Sequence, residues 1–293
     1  MTYPSVSKGG RGYPPLLAEL HDPPARLFLR GGSMDVMALP AVAVVGARSC
    51  SSYGAQVARE VARELSAAGA VVVSGLARGI DGEAHRGALA AGGLTVAVLG
   101  CGIDRDYPRA HAELARRIAE SGLIVSEYPP GVEPSPWRFP ARNRIVAGLA
   151  RATVVVEARE RSGALITADF ALELGREVFA VPGEITSALS AGTNDLIRQG
   201  ATPLLSAGDV LDALGLERAP PAPPPDLSPE GQAVLACLSS GALTLDEIVR
   251  ATRVGSAEAA VALTELELAG LAVHADGLYR RTTGGRDPPA VAG

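Results

Sequence analysis

Lysine is nearly missing from this 293-residue chain: Lys8 is the only one, and arginine supplies the rest of the side-chain positive charge. Codon usage explains that imbalance more simply than a demand for bidentate phosphate contacts. Cysteine is scarce as well. Cys50, Cys101 and Cys237 stand far apart with no C-x-x-C pair, which speaks against a disulfide framework or a metal site and leaves three free thiols. No apolar run reaches membrane-spanning length, and "MTYPSVSKGGRGYPP" lacks the apolar core of a secretory signal. A cytoplasmic protein with no membrane association is therefore expected. Excess positive charge is absent too: the net charge of −5 excludes a uniformly basic nucleic-acid binder, though not a locally basic one. No G-x-S-x-G elbow, Walker A loop, H-E-x-x-H helix or G-x-G-x-x-G fingerprint occurs, so neither a catalytic constellation nor a cofactor site is read.

What is present is an α/β rhythm. Continuous apolar runs at 41–45, 70–74, 94–99, 123–127, 153–157, 177–181 and 202–205 alternate with helical stretches. Such runs mean strands buried on both faces, the mark of a parallel sheet between helices. The fold class is α/β: an extended Rossmann-like, doubly wound, mostly parallel sheet over 41–218, with residues 1–40 as a leader packing on its core. Residues 219–225 contain "APPAPPP", a stiff proline-rich linker. Beyond it, 226–283 read as three helices and a hairpin turning at Asp276-Gly277, a small winged-helix domain, and 284–293 as a disordered tail. This domain holds eight acidic and four basic residues, and its third helix has no basic one. That composition suits a protein contact better than a duplex reader.

In parallel sheets ligands gather at the carboxyl ends of the strands. Three glycine-rich turns lie there: "GARSCSSYG" with Gly46, "GLARGID" with Gly75 and Gly79, and "GCGIDRDYP" with Gly100 and Gly102. Their backbone amides are expected to form anion nests, and Arg48, Arg78 and Arg105 add charge to them. Residues 137–167 carry six arginines, Arg138, Arg142, Arg144, Arg151, Arg159 and Arg161, against Glu157 and Glu160, a local charge of +4. Trp137 and Phe139 interleave with the first of them, as single-stranded nucleic acid favours. The aromatics read equally well as plugs at the sheet edge, and Arg142 or Arg144 as a partner of Glu127. In "GIDGEAH", Asp81 reads as a helix N-cap and His85 as a packing residue rather than an acid–base pair.

The motifs "VGARSCSSYG", "SGLARGIDGEAHRGAL", "VLGCGIDRDYP", "SEYPPG", "FPARNRIVAGLA", "VVVEARERSGALITA", "GREVFAVPG" and "GTNDLIRQGA" resemble, in order, the signature of the DNA-processing protein A family, DprA/Smf. The resemblance spans residues 12 to 214, and the winged helix is similar to the module many members carry. It implies a non-enzymatic, cofactor-free protein that binds single-stranded DNA, protects incoming strands in natural transformation and recombination, and loads a RecA-type recombinase. Carried over onto this chain, Arg48 and Ser49 form the main phosphate pocket and Arg109 holds the next stretch of backbone. Arg142 and Arg144 of "FPARNR" extend the groove. Asn143, Arg159 and Ser162, from the same motifs, join the candidate contacts. A homodimer through residues near 185–205 is also implied. Two departures stand out: the leader before Pro14 leaves no room for the N-terminal helical domain of many members, and His111 replaces an asparagine common after "YP". A Rossmann-like phosphoribosyl-nucleotide hydrolase is the alternative, but its "PGGxGTxxE" loop reads "VPGEITSALSAGTND" here.

Overall fold

The computed structural model describes residues 2–217 and 226–282. The chain divides into two compact units, Met1–Ala219 and Pro220–Gly293. The expected proline-rich linker (219–225) and tail (284–293) lie outside the described residues.

In the first unit, the strands are β1 (Ser5–Ser7), β2 (Arg26–Gly31), β3 (Ala41–Val45), β4 (Val71–Ser74), β5 (Thr95–Leu99), β6 (Leu123–Ser126), β7 (Ala152–Val155), β8 (Glu177–Ala180) and β9 (Thr202–Pro203). They form one sheet in the order β1-β2-β6-β5-β4-β3-β7-β8-β9. From β6 to β9 neighbouring strands are parallel; β1 and β2 run antiparallel at one edge. The leader therefore does more than pack on the core. It lengthens the sheet, with β2 pairing Phe28 to Ser126 and Gly31 to Leu123.

The helices are α1 (Pro15–Ala18), α2 (Ser52–Ala67), α3 (Ile80–Ala90), α4 (Ala112–Ser121), α5 (Arg138–Leu149), α6 (Gly163–Glu173), α7 (Ala191–Arg198) and α8 (Ala207–Leu214). Strand alternation distributes the core between them. Ala43 and Val45 of β3 pack with Leu17, Ile145 and Ala168 on one face, whereas Val42 and Val44 pack with Val61, Leu65, Ala84 and Val210 on the other. Both faces being covered explains why these strands carry apolar residues at every position. The chain runs from β3 outward to β6 and then returns to β7 on β3's other side. That reversal makes the β3/β7 crevice the topological switch point.

In the second unit, α9 (Pro229–Cys237), α10 (Leu245–Thr252) and α11 (Ser256–Leu268) precede the hairpin β10 (Ala272–Ala275) and β11 (Leu278–Arg281). Asp276 and Gly277 both have positive φ, 55° and 77°, as a two-residue type I′ turn requires. Val234, Leu238, Ile248, Leu263 and Leu266 fill the core of this winged helix.

Candidate nucleic-acid interface

The carboxyl ends of β3, β4 and β5 carry the three glycine-rich turns, and a groove of about 1090 Å³ runs across them. Arg48, Ser49, Gly75, Arg78, Gly100, Arg109, Phe139 and Arg142 line it, so eight of the expected contacts converge on one rim. Arg48, Arg78 and Arg109 are exposed, and no carboxylate among the described residues lies within ion-pair distance of them. The acids beside them are already engaged. Asp106 binds Arg30 at 2.8 Å, and Glu133 binds Arg105 at 2.7 Å. Three guanidiniums thus face the groove without a carboxylate partner.

Aromatic rings continue this lining. Tyr107 stacks on Phe139 with centroids 5.3 Å apart, and the Arg48 guanidinium lies 5.3 Å from the Phe139 ring. Phe139 can come this close to the sheet because residue 100 is glycine: a Cβ there would sit 2.8 Å from Cδ1 of the ring. Tyr107 is an aromatic contact that sequence reasoning missed, and its signal is the "YP" pair itself. Arg138 lies just outside, its guanidinium 5.0 Å from the rings of both Trp137 and Tyr128, and Trp137 is 62% exposed.

Four amides of the glycine-rich turns are engaged within the protein. The Ala47 amide donates to the Glu157 carbonyl, and the Gly102 amide to the Val132 carbonyl. The Gly75 and Ala77 amides both donate to the Asp81 carboxylate, at 3.1 and 3.3 Å. These four amides are satisfied internally and are not offered to a ligand, whereas the guanidiniums of Arg48, Arg78 and Arg109 are exposed at the groove. Asp81 is accordingly not an N-cap: Gly79 occupies that position of α3, at φ 72°, and Asp81 is a buried anchor for the turn after β4. Burial raises its carboxyl above the usual range, and Arg142 opposes the shift.

The cluster at 137–167 does not form one basic patch. Arg142 is 4% exposed, and its Nη1 donates to the carbonyl of Gly75 at 2.6 Å and to that of Val98. It ties the ends of β4 and β5 together under the groove floor, where a Cβ on residue 75 would push the guanidinium off these carbonyls. Burial lowers its proton affinity, and Asp81 offsets that in part. Arg144 grips Glu127 at 2.7 and 3.0 Å, the alternative pairing noted in the sequence. It also donates to the Asp22 carbonyl, which holds the leader in place. Arg151, whose amide donates to Ala41 at the start of β3, sits at the opposite end of the sheet. Arg159 is exposed but lines neither the groove nor the cavity beside it.

That adjoining cavity, about 230 Å³, opens beside the switch point and takes in Gly46, Asn143 and Ser162, sharing Arg48, Gly75 and Arg142 with the groove. Asn143 donates to the Gly163 carbonyl at 2.8 Å, and Ser162 caps α6 by accepting from Ala164. His111 is buried and donates from Nδ1 to the Leu76 carbonyl at 3.0 Å, joining the turn after β4 to the one after β5. Among the described residues, no group of three or more His, Cys, Asp or Glu side chains is placed to hold a metal ion.

The family model for DNA recombination-mediator protein A matches residues 5–215. The chain belongs to that family. A second model, the DprA winged helix domain, matches residues 218–278. Among members, the DNA processing protein DprA of Streptococcus pneumoniae is 48% identical over 209 residues, 71% of this chain and 73% of that protein. Protein Smf of Escherichia coli is 41% identical over 92% of this chain and 75% of its own length. The S. pneumoniae crystal structure superposes with a TM-score of 0.70 at 47% identity, covering 72% of this chain and 74% of that one. A DNA processing protein A from Helicobacter pylori, described for its single-stranded DNA binding mode, aligns at a TM-score of 0.66 and 31% identity over 73% of this chain and 96% of that one.

Proposed function

We propose that this protein binds single-stranded DNA along the rim at the carboxyl ends of β3, β4 and β5, without cleaving it. Arg48, Arg78 and Arg109 hold successive phosphates, and Phe139 and Tyr107 offer stacking surface to the bases. The single observation that carries this reading is a groove whose unpaired guanidiniums and stacked rings lie on one rim. Membership of the family supports a DNA-processing role, and the named binding mode of the H. pylori relative supports the class of ligand. Within that role the protein shields incoming strands during transformation and passes them to a RecA-type recombinase. It acts in the cytoplasm; among the described residues no helix is long and apolar enough to cross a membrane. A homodimer through residues 185–205 fits the exposure of Ile185, at 96%, and Leu205, at 66%. Fluorescence anisotropy with labelled oligo-dT and with a duplex of equal length tests the proposal. Tighter binding of the single strand, falling steeply with salt, is expected; equal or absent binding would reject it.

A further inference from the structure

Doubly wound sheets hold nucleotide phosphates in the switch-point crevice, against the N-terminus of the helix that follows the first central strand. Here that place is the N-terminus of α2, beside the β3/β7 crevice, and a side chain of the protein fills it. Glu157 lies two residues past the end of β7 and is 5% exposed. One carboxylate oxygen accepts from the Ser51 amide at 2.9 Å, and the other from the Ser51 hydroxyl at 2.5 Å. Ser51 Oγ in turn accepts from the Gly54 amide at 3.0 Å. Residue 54 is glycine for a reason that points to the same carboxylate: a Cβ there would run into it. The backbone closes the crevice behind it, since the Ala47 amide donates to the Glu157 carbonyl at 2.8 Å.

We infer that Glu157 is a built-in stand-in for a bound phosphate, and that it sets the ligand class by denying nucleotides their usual seat in this fold. A carboxylate at a helix N-terminus takes up both the hydrogen bonds and the favourable end of the helix dipole that a phosphate would use. A second anion brought there would meet like charge at close range. Phosphates are left with the outer groove, which Arg48, Arg78 and Arg109 line from the turns after three neighbouring strands. The inference does not depend on the groove's ligand being DNA.

Isothermal titration of the full-length protein with ADP tests it, using wild type, Glu157→Gln, Glu157→Ala and Glu157→Ser. The glutamine variant keeps the shape that fills the seat; the other two empty it, and serine restores a hydroxyl at the helix end. The expected result is ADP binding by the alanine or serine variant at least tenfold tighter than by wild type or the glutamine variant. Equal ADP affinity across the folded proteins would overturn the inference and leave Glu157 a helix cap only. Unfolding of both emptied variants would overturn it as well, because the carboxylate would then be indispensable to the fold rather than a ligand's substitute. Oligo-dT anisotropy on the same samples scores the groove separately, so a failure of one reading is not mistaken for a failure of the other.

Discussion

Arg48 is the residue on which the groove turns, because it lines both the groove and the cavity beside the switch point and also lies over Phe139. Replacing it with alanine removes one charge-assisted phosphate contact. The expected loss of oligo-dT affinity is about tenfold or more, nearly independent of sequence, with the salt slope reduced by about 0.7. Anisotropy across a salt series measures both. Arg142 and Arg144 show where composition misleads: an arginine reads the same in sequence whether it faces solvent, ties two strand ends or pairs with Glu127. Only tertiary structure separates them, and here it removes both from the freely charged set. His85 carries a second prediction at this scale. Thr95 Oγ1 gives its proton to the Val72 carbonyl, so it accepts from His85 Nδ1, and His85 Nε2 has no hydrogen-bond partner among the described residues. Burial, with repulsion from His111, Arg142 and Arg86, drops the imidazole to about 3. A lowered folded value means that the unfolded chain takes up the proton first. His85 therefore adds stability that is complete above about pH 6.5 and is lost as pH falls toward 3, at up to about 1.4 kcal/mol per pH unit. Urea titrations of wild type and His85→Gln at pH 7 and pH 5 should differ by this slope; parallel losses would exclude it.

Among the elements, the parallel strands were legible because burial on both faces leaves an unbroken apolar signature. Each of the parallel strands β3 to β9 falls within or one residue from its expected run, and the last shrinks to Thr202–Pro203. β2 was not legible. "RLFLRG" is short, bounded by two arginines, and buried mainly through Leu27 and Leu29, a pattern too brief to distinguish from a loop. Its partner, β6, lies almost a hundred residues downstream, so nothing local announces the pairing. Leu27 is fully buried, so Leu27→Ala should cost about 2 to 5 kcal/mol in urea unfolding even though it lies in the leader. A change below 0.5 kcal/mol would mean that β1 and β2 are dispensable decoration. The glycine-rich turns were placed correctly at the strand ends, but their chemistry was not legible. Which acceptor takes an amide depends on residues as distant as Asp81, Val132 and Glu157.

At the scale of the molecule, the chain divides at Ala219, where prolines crowd the sequence, and the winged helix was readable from three helical stretches followed by a hairpin. α11 carries Glu258, Glu265 and Glu267 and no basic residue, and Glu265 is engaged in capping α9 through Ser228. A chain ending at residue 218 should therefore keep most of its oligo-dT affinity, within about threefold in anisotropy, since phosphate neutralisation by cations dominates such binding. A loss of tenfold or more would give the second unit a direct share in the strand. The groove itself is lined along its length by exposed side chains, Arg48, Arg78, Tyr107 and Arg109 among them. A polymer can be laid into such a trough sideways, from any point along its length, with no terminus to thread. Closed circles of single-stranded phage DNA ought to be captured as readily as linear fragments.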